Sequence, residues 1–264
     1  MKDILKKIVD SKYKEIAERK QRVSVDELLQ MEGFNRPVIS LAKRFETKVS
    51  TGIIAEFKRK SPSKGIINDR SSVADVVSAY EKFGAAAVSV LTDEEYFGGS
   101  AADFAIARQQ LNIPLLRKEF IVDEYQVVET KAMGADLILL IAACLSPADV
   151  KQLSKKAAAL GLEILLELHD EDEIGHICDE ITHVGINNRN LNSFSVNIDR
   201  SIDMAHALPA GKFRIAESGI NSADQVDLFR RKGFDGFLIG ENFMKEADPG
   251  LAFQLFTKNI KKPA

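Results

Sequence analysis

Residues 53–65 read IIAEFKRKSPSKG, and the change of character within this stretch decides the fold. Ile53, Ile54, Ala55 and Phe57 suit a strand in a dry core, yet Glu56 sits among them and Lys58, Arg59 and Lys60 follow at once. Side chains alternate along a strand. Ile53, Ala55 and Phe57 therefore share one face, and Ile54, Glu56 and Lys58 share the other. A strand of a parallel barrel has this form: one face is apolar against helices, and the other turns charged where the strand ends at the working rim.

Similar short runs of Val, Ile and Leu recur at 87–91, 114–117, 137–141, 163–168, 183–186, 213–216 and 236–239, which makes eight with the first. Helical periodicity fills the gaps, as in the faces Val73, Val76, Val77, Tyr80 and Val150, Leu153, Ala157, and in Val226, Leu228, Phe229. Ser71 or Ser72, Asp123, Ser146 and Asn221 are placed to cap helices. Gly84, Gly134, Gly161 and Gly233 each fall between a helix and the next strand, where a left-handed residue is wanted. This alternation predicts an α/β chain with a (β/α)8 TIM-barrel fold. An open doubly wound sheet is the rival, but no GxGxxG or GxxxxGK[ST] lies near the first strand. Residues 1–48 are extra to the count and read as an N-terminal helical extension packed on the barrel, with Ile4, Leu5, Ile8, Val9 and Ile16 on one face. Residues 49–264 form the catalytic barrel.

Composition excludes several classes. The net charge of −3 offers no basic field for nucleic acid. No apolar run approaches the roughly 18 residues needed to cross a bilayer, and the mixed-charge N-terminus lacks the apolar region of a signal peptide. Cys144 and Cys178 show no CxxC spacing and suit a reducing cytoplasm. His169, His176, His183 and His206 make no HxH or HxxxH pair, so no metal is expected.

The alternation read from the first strand extends to the others. It pairs Leu116 with Lys118, Leu165 with Glu167, Gly185 with Asn187 and Arg189, Ile215 with Glu217, and Leu238 with Gly240. Glu56, Lys58, Lys118, Glu167, Asn187 and Glu217 then converge on one mouth, with Arg189 at its edge. Burial and neighbouring cations lower a lysine pKa, so these lysines are expected to donate protons readily. Ser218-Gly219 after the seventh strand and Gly240-Glu241 after the eighth form a phosphate site of the kind barrels build from these two loops. Ser61 and Ser63 could add hydroxyl donors. Phe97 and Phe120, after the second and third strands, could wall an aromatic ligand.

The motifs IIAEFKRKSPSKG, SVLTDEEYFGGS, PLLRKEFIVDEYQV, ADLILLIAACL, LLELHDEDEI, GINNRNL, RIAESGI and FLIGENFM resemble, in order, those of the indole-3-glycerol-phosphate synthase family. The resemblance covers nearly the whole chain. Glu119 stands where an aspartate is frequent, and Lys64 precedes the loop glycine. The resemblance implies a carboxy-lyase of tryptophan biosynthesis that closes the ring of 1-(2-carboxyphenylamino)-1-deoxyribulose 5-phosphate with loss of CO2 and water. It implies Lys118 as general acid, Glu167 as general base, and Lys58 on the substrate carboxylate. Glu56 and Glu217 would orient the lysines, and Asn187 would assist at the anthranilate end. Ser61, Phe97, Phe120, Leu139, Arg189 and Leu191 would contact substrate, and Ser218, Gly219, Gly240 and Glu241 its phosphate. No cofactor is implied, no nucleic-acid or membrane partner, and no fused isomerase domain, since the chain stops soon after the eighth helix.

Overall fold

The computed structural model describes residues 2–189 and 198–260. Eight parallel strands close into a barrel in chain order: β1 Ile53–Phe57, β2 Ala87–Leu91, β3 Leu115–Lys118, β4 Leu137–Ile141, β5 Glu163–Leu168, β6 His183–Asn187, β7 Phe213–Glu217 and β8 Gly236–Ile239, with β8 returning to β1. The strands expected at 114–117, 183–186 and 213–216 end one residue later, each extended onto a site residue or its neighbour. The link from β5 to β6 carries a 3-10 stretch, Glu171–His176, in place of the α-helix that the alternation predicts.

The alternation of faces holds around the barrel. Ile53, Ala55 and Phe57 join Val88, Val90, Leu115, Ile138 and the inner faces of the helices in the outer core layer. Ile54, Leu116, Leu139, Leu165, Ile215 and Leu238 form a separate cluster inside the barrel. Ser72, Asp123 and Ser146 cap their helices as expected, and capping falls to Ser222 where Asn221 was expected. Ser222 wins because its hydroxyl accepts from the backbone N–H of Gln225, while Asn221 uses its own N–H to donate to the Gln225 side chain. Gly84, Gly134, Gly161 and Gly233 all have positive φ. Leu228 lies off the buried face of its helix, which Val226 and Phe229 occupy.

The first 48 residues contribute α1 Lys2–Arg22, α2 Val25–Gln30 and α3 Leu41–Glu46. α3 plugs the N-terminal end of the barrel. Phe45 packs its ring 5.5 Å from Phe213 and 5.9 Å from His183. Gly236 leaves the space, since a Cβ there would meet the Phe45 ring at 2.6 Å. Glu163 of β5 accepts from the backbone N–H of Leu41 and Ala42, which satisfies donors at the start of α3. α1 covers the opposite end. Ile4, Leu5 and Ile8 face the barrel mouth, and Lys12, one turn beyond Ile8, is fully buried against Asp93 at 2.6 Å and Glu119 at 3.3 Å.

Candidate active site

A cavity of about 1190 Å3 opens at the C-terminal ends of the strands, beneath α1. Every described residue expected at the site lines it: Glu56, Lys58, Ser61, Phe97, Lys118, Phe120, Leu139, Glu167, Asn187, Arg189, Glu217, Ser218, Gly219, Gly240 and Glu241. Leu191 lies outside the described residues.

The centre of the site is Lys118 at the end of β3. Its Nζ lies 3.0 Å from Oε2 of Glu167 and 3.4 Å from Oε2 of Glu217. Asn187 Nδ2 donates to Oε1 of Glu167 at 3.0 Å. Beside this group, Lys58 donates to Oε1 of Glu56 at 2.6 Å. Lys58 thus stands on a carboxylate of its own strand, and Lys118 on two that reach it across the mouth from β5 and β7. Two glycines make the crowding possible. A Cβ on Gly185 would meet Glu217 Oε1 at 1.9 Å, and one on Gly240 would meet Glu56 Oε1 at 2.5 Å.

The electrostatics follow from burial in close company. Burial lowers the pKa of Lys118, but the carboxylates of Glu167, Glu217 and Glu56 outweigh it and hold the ammonium raised. This corrects the expectation that burial and neighbouring cations make the rim lysines more acidic: the groups within reach of Lys118 are anions. Burial raises Glu167, but Lys118, His169 and Asn187 outweigh it and hold its carboxylate well below the usual range. Glu217 goes the other way. Burial, reinforced by the negative charge on Glu167 and only partly offset by Lys118, pushes it up to about 8. Two carboxyls against one ammonium therefore divide into one firm anion and one that keeps its proton at neutral pH.

The apolar wall is formed by Phe97 and Phe120, whose ring centroids lie 5.9 Å apart. Asp93 fixes the first of them by accepting from the backbone N–H of Tyr96 and Phe97 at 2.7 and 2.9 Å. Across the mouth, Ser218 and Gly219 follow β7 with φ of +66° and +71°. Asn188 Nδ2 donates to the Ser218 carbonyl at 2.8 Å and holds that turn. A non-glycine residue in the left-handed region costs about 1–2 kcal/mol, and strain of this kind gathers at ligand sites. Arg189 stands apart from Lys118. It donates to Glu241 Oε2 at 3.2 Å and to Ser63 at 3.4 Å, which ties the loops after β6, β8 and β1 together over the mouth. That first loop folds into a short antiparallel pair, Lys60–Ser61 with Gly65–Ile66.

Sequence reasoning missed three features. His169 lines the cavity with its Nε2 3.1 Å from Oε1 of Glu167, and the alternation that placed Glu167 also covers the residue two further on. Gly185 was counted on the inward face of β6 but not as the space for Glu217. Lys12 sits on an α1 stripe, Ile8, Lys12 and Ile16, that periodicity reads as apolar, and nothing local betrays its distant partners.

The family model for Indole-3-glycerol phosphate synthase matches residues 5–255. A protein of that name from Bacteroides thetaiotaomicron is 44% identical over 262 residues, covering 99% of this chain and 100% of its own length. The Bordetella pertussis protein of the same name is 40% identical over 255 residues, covering 95% and 97%. Among solved structures, a tryptophan synthase alpha-subunit mutant from Pyrococcus furiosus matches with a TM-score of 0.61 at 12% identity, covering 80% of this chain and 98% of its own. The alpha subunit from Legionella pneumophila matches with a TM-score of 0.61 at 13% identity, covering 83% and 94%. At such identities these two likenesses show the barrel fold alone.

Proposed function

The chain belongs to the indole-3-glycerol phosphate synthase family, and we propose how its rim residues divide that reaction. It is a carboxy-lyase of tryptophan biosynthesis, closing the ring of 1-(2-carboxyphenylamino)-1-deoxyribulose 5-phosphate with loss of CO2 and water. The observation that carries the division of labour is Lys118 held between a firm anion, Glu167, and a carboxyl that keeps its proton, Glu217.

The aromatic carbon that bears the carboxylate attacks the ketone, and Lys118 supplies the proton that turns the ketone oxygen into a hydroxyl. The C–CO2 bond then breaks, its electron pair restores the aromatic ring, and CO2 leaves. The hydroxyl departs as water with a second proton, while Glu167 removes a proton from the methylene carbon beside the nitrogen, and that C–H electron pair becomes the new C=C bond of the ring. Lys58 binds the substrate carboxylate. Its tie to Glu56 keeps it at the mouth, and Glu217 does the same for Lys118. Asn187 aims Glu167. Arg189 closes on the anthranilate end, where the family resemblance also assigns Leu191. Phe97, Phe120 and Leu139 hold the ring, and Ser61 adds a hydroxyl. Ser218, Gly219, Gly240 and Glu241 receive the phosphate, chiefly through backbone N–H groups. Folding a flexible chain so that ring and ketone meet is itself a large part of the rate.

We read residues 1–48 and 49–264 as one domain, because α1 roofs the mouth and α3 plugs the opposite end. Among the described residues no helix is long and apolar enough to cross a membrane. We place the protein in the cytoplasm, acting on a small phosphosugar–anthranilate substrate. Incubation with that substrate, following CO2 release and indole fluorescence together, tests the reading. Lys118→Ala should lose both signals by at least roughly 10²-fold, and Glu167→Gln should release CO2 and then stall before indole forms. CO2 and indole appearing in step in Glu167→Gln would overturn the division of labour.

A further inference from the structure

We propose that His169 and Glu173 form a proton relay that feeds the site from solvent through Glu167. The proposal rests on the reading of Glu167 as the base of the dehydration step. His169 is a buried side chain that the division of labour above leaves idle. Its Nε2 lies 3.1 Å from Oε1 of Glu167, and its Nδ1 lies 4.0 Å from Oε2 of Glu173. Nε2 meets Glu167 off the ideal hydrogen-bond line, and Nδ1 has no hydrogen-bond partner among the described residues. An unpaired buried polar group carries a free-energy cost, which asks for a reason. The side chains of Glu167 and His169 are 7% and 5% exposed, and that of Glu173, on the 3-10 stretch after β5, is 15% exposed. The three groups therefore run from the sealed centre toward solvent. Imidazole suits the middle position because it accepts a proton at one nitrogen and releases one from the other.

Proton accounting supplies the need. The substrate enters as a carboxylate and leaves as neutral CO2, so each turnover takes up one proton. One proton goes to the ketone oxygen and a second leaves with the hydroxyl as water, while Glu167 recovers one from the methylene carbon beside the nitrogen. Glu167 can return that proton to Lys118 across 3.0 Å. The other must come from outside while the substrate fills the mouth. A swing of the Glu173 carboxyl that closes the 4.0 Å gap passes it to Nδ1 of His169, Nε2 passes its own to Glu167, and Lys118 is recharged for the dehydration. The thiol of Cys144 is the other titratable group near both carboxylates. Burial and then the charges of Glu167 and Glu173 push it up to about 12, so it stays protonated.

Single-turnover experiments on the full chain separate this role from a structural one. His169→Gln should release CO2 at the native rate and then form indole roughly 10²-fold more slowly, with KM unchanged. His169→Ala should show the same lag, and added imidazole should restore at least about tenfold of the lost rate, which it does not do for Glu167→Gln. Glu173→Gln keeps an oxygen that accepts from the backbone N–H of His169 and Asp170. It should show the lag without imidazole rescue. CO2 and indole formed in step at the native rate in His169→Gln, or no response of His169→Ala to imidazole, would overturn the relay. If Glu167→Gln stalls while His169→Gln does not, the relay alone fails. If neither stalls, the reading of Glu167 fails with it.

Discussion

Arg117, Lys118 and Glu119 are consecutive charged residues at the end of β3, and alternation sends them to two different networks. Arg117 and Glu119 point away from the barrel axis. Arg117 donates to Thr92, Thr130 and Glu129, while Glu119 accepts from Thr92 and lies 3.3 Å from Lys12 of α1. Lys118 points inward to Glu167 and Glu217. Both networks are buried and both pair cations with carboxylates. They differ in what else can reach them. In the outer one the side chains of Lys12, Asp93, Arg117 and Glu119 are 2% exposed or less, and although Glu119 borders the cavity its carboxylate is spent on Lys12 and Thr92. The inner one lines the cavity, where a ligand can replace any of them. Charge alone does not separate a structural network from a working one; access does.

The largest effect expected from breaking this comparison is on stability. Lys12→Met leaves Asp93 and Glu119 buried without their shared cation, and removing one partner of a buried pair costs about 3–5 kcal/mol. Urea unfolding should show the midpoint fall with the slope unchanged. Adding Asp93→Asn and Glu119→Gln should recover much of the loss, because no buried charge is then left unpaired. A single-variant loss below about 1 kcal/mol would put the outer network in the same class as exposed pairs.

Lys118→Ala makes the opposite cut. Turnover should drop by at least roughly 10²-fold, which is about 2.7 kcal/mol of barrel chemistry. The unfolding midpoint should move less than in Lys12→Met, because water in the cavity can solvate Glu167 and Glu217 can hold its proton. A loss of stability equal to that of Lys12→Met would erase the distinction between the two faces of β3.

These two lysines also mark what the sequence could and could not tell. Lys118 is legible because period-two alternation is strict: the same rule places Glu56, Glu167, Asn187 and Glu217 on the inward faces of their strands. Lys12 is not, because a helical stripe of Ile8 and Ile16 gives no sign that the residue between them meets Asp93 and Glu119, some 80 to 110 positions away. The direction of the Lys118 shift is hidden from the sequence for a related reason. Alternation says which groups converge but not which pair, and Arg189, counted at the edge of the cluster, spends its charge on Glu241.

A smaller effect is expected at the phosphate loops, where backbone matters more than side chain. Gly219 has φ of +71°, a conformation that valine resists. Gly219→Val should raise KM strongly with little change in folding, while Glu241→Ser should be mild, since its carboxylate braces Arg189 and Lys64 and leaves the backbone donors in place. Equal and small effects from both would remove these turns from the phosphate site.

A pH titration of stability sharpens the inner network. Glu217 has its folded pKa pushed up to about 8 by burial and by the charge on Glu167, against about 4.3 for a free glutamate. Below about 4.3 the carboxyl is protonated whether the chain is folded or not. Between there and 8 the unfolded chain has released the proton and the folded one still holds it, so the folded state binds more protons and its stability falls as pH rises. Above 8 both states are ionised and the contribution is lost. Glu217→Gln carries no such proton and keeps Lys118 paired with Glu167. The Tm of this variant minus that of the parent should therefore grow from pH 5 to pH 9, most steeply below 8, and then level off. A difference that stays flat, or shrinks as pH rises, would mean that Glu217 is ionised beside Lys118 at neutral pH. Both carboxylates of the inner network would then be fixed anions, like those around Lys12.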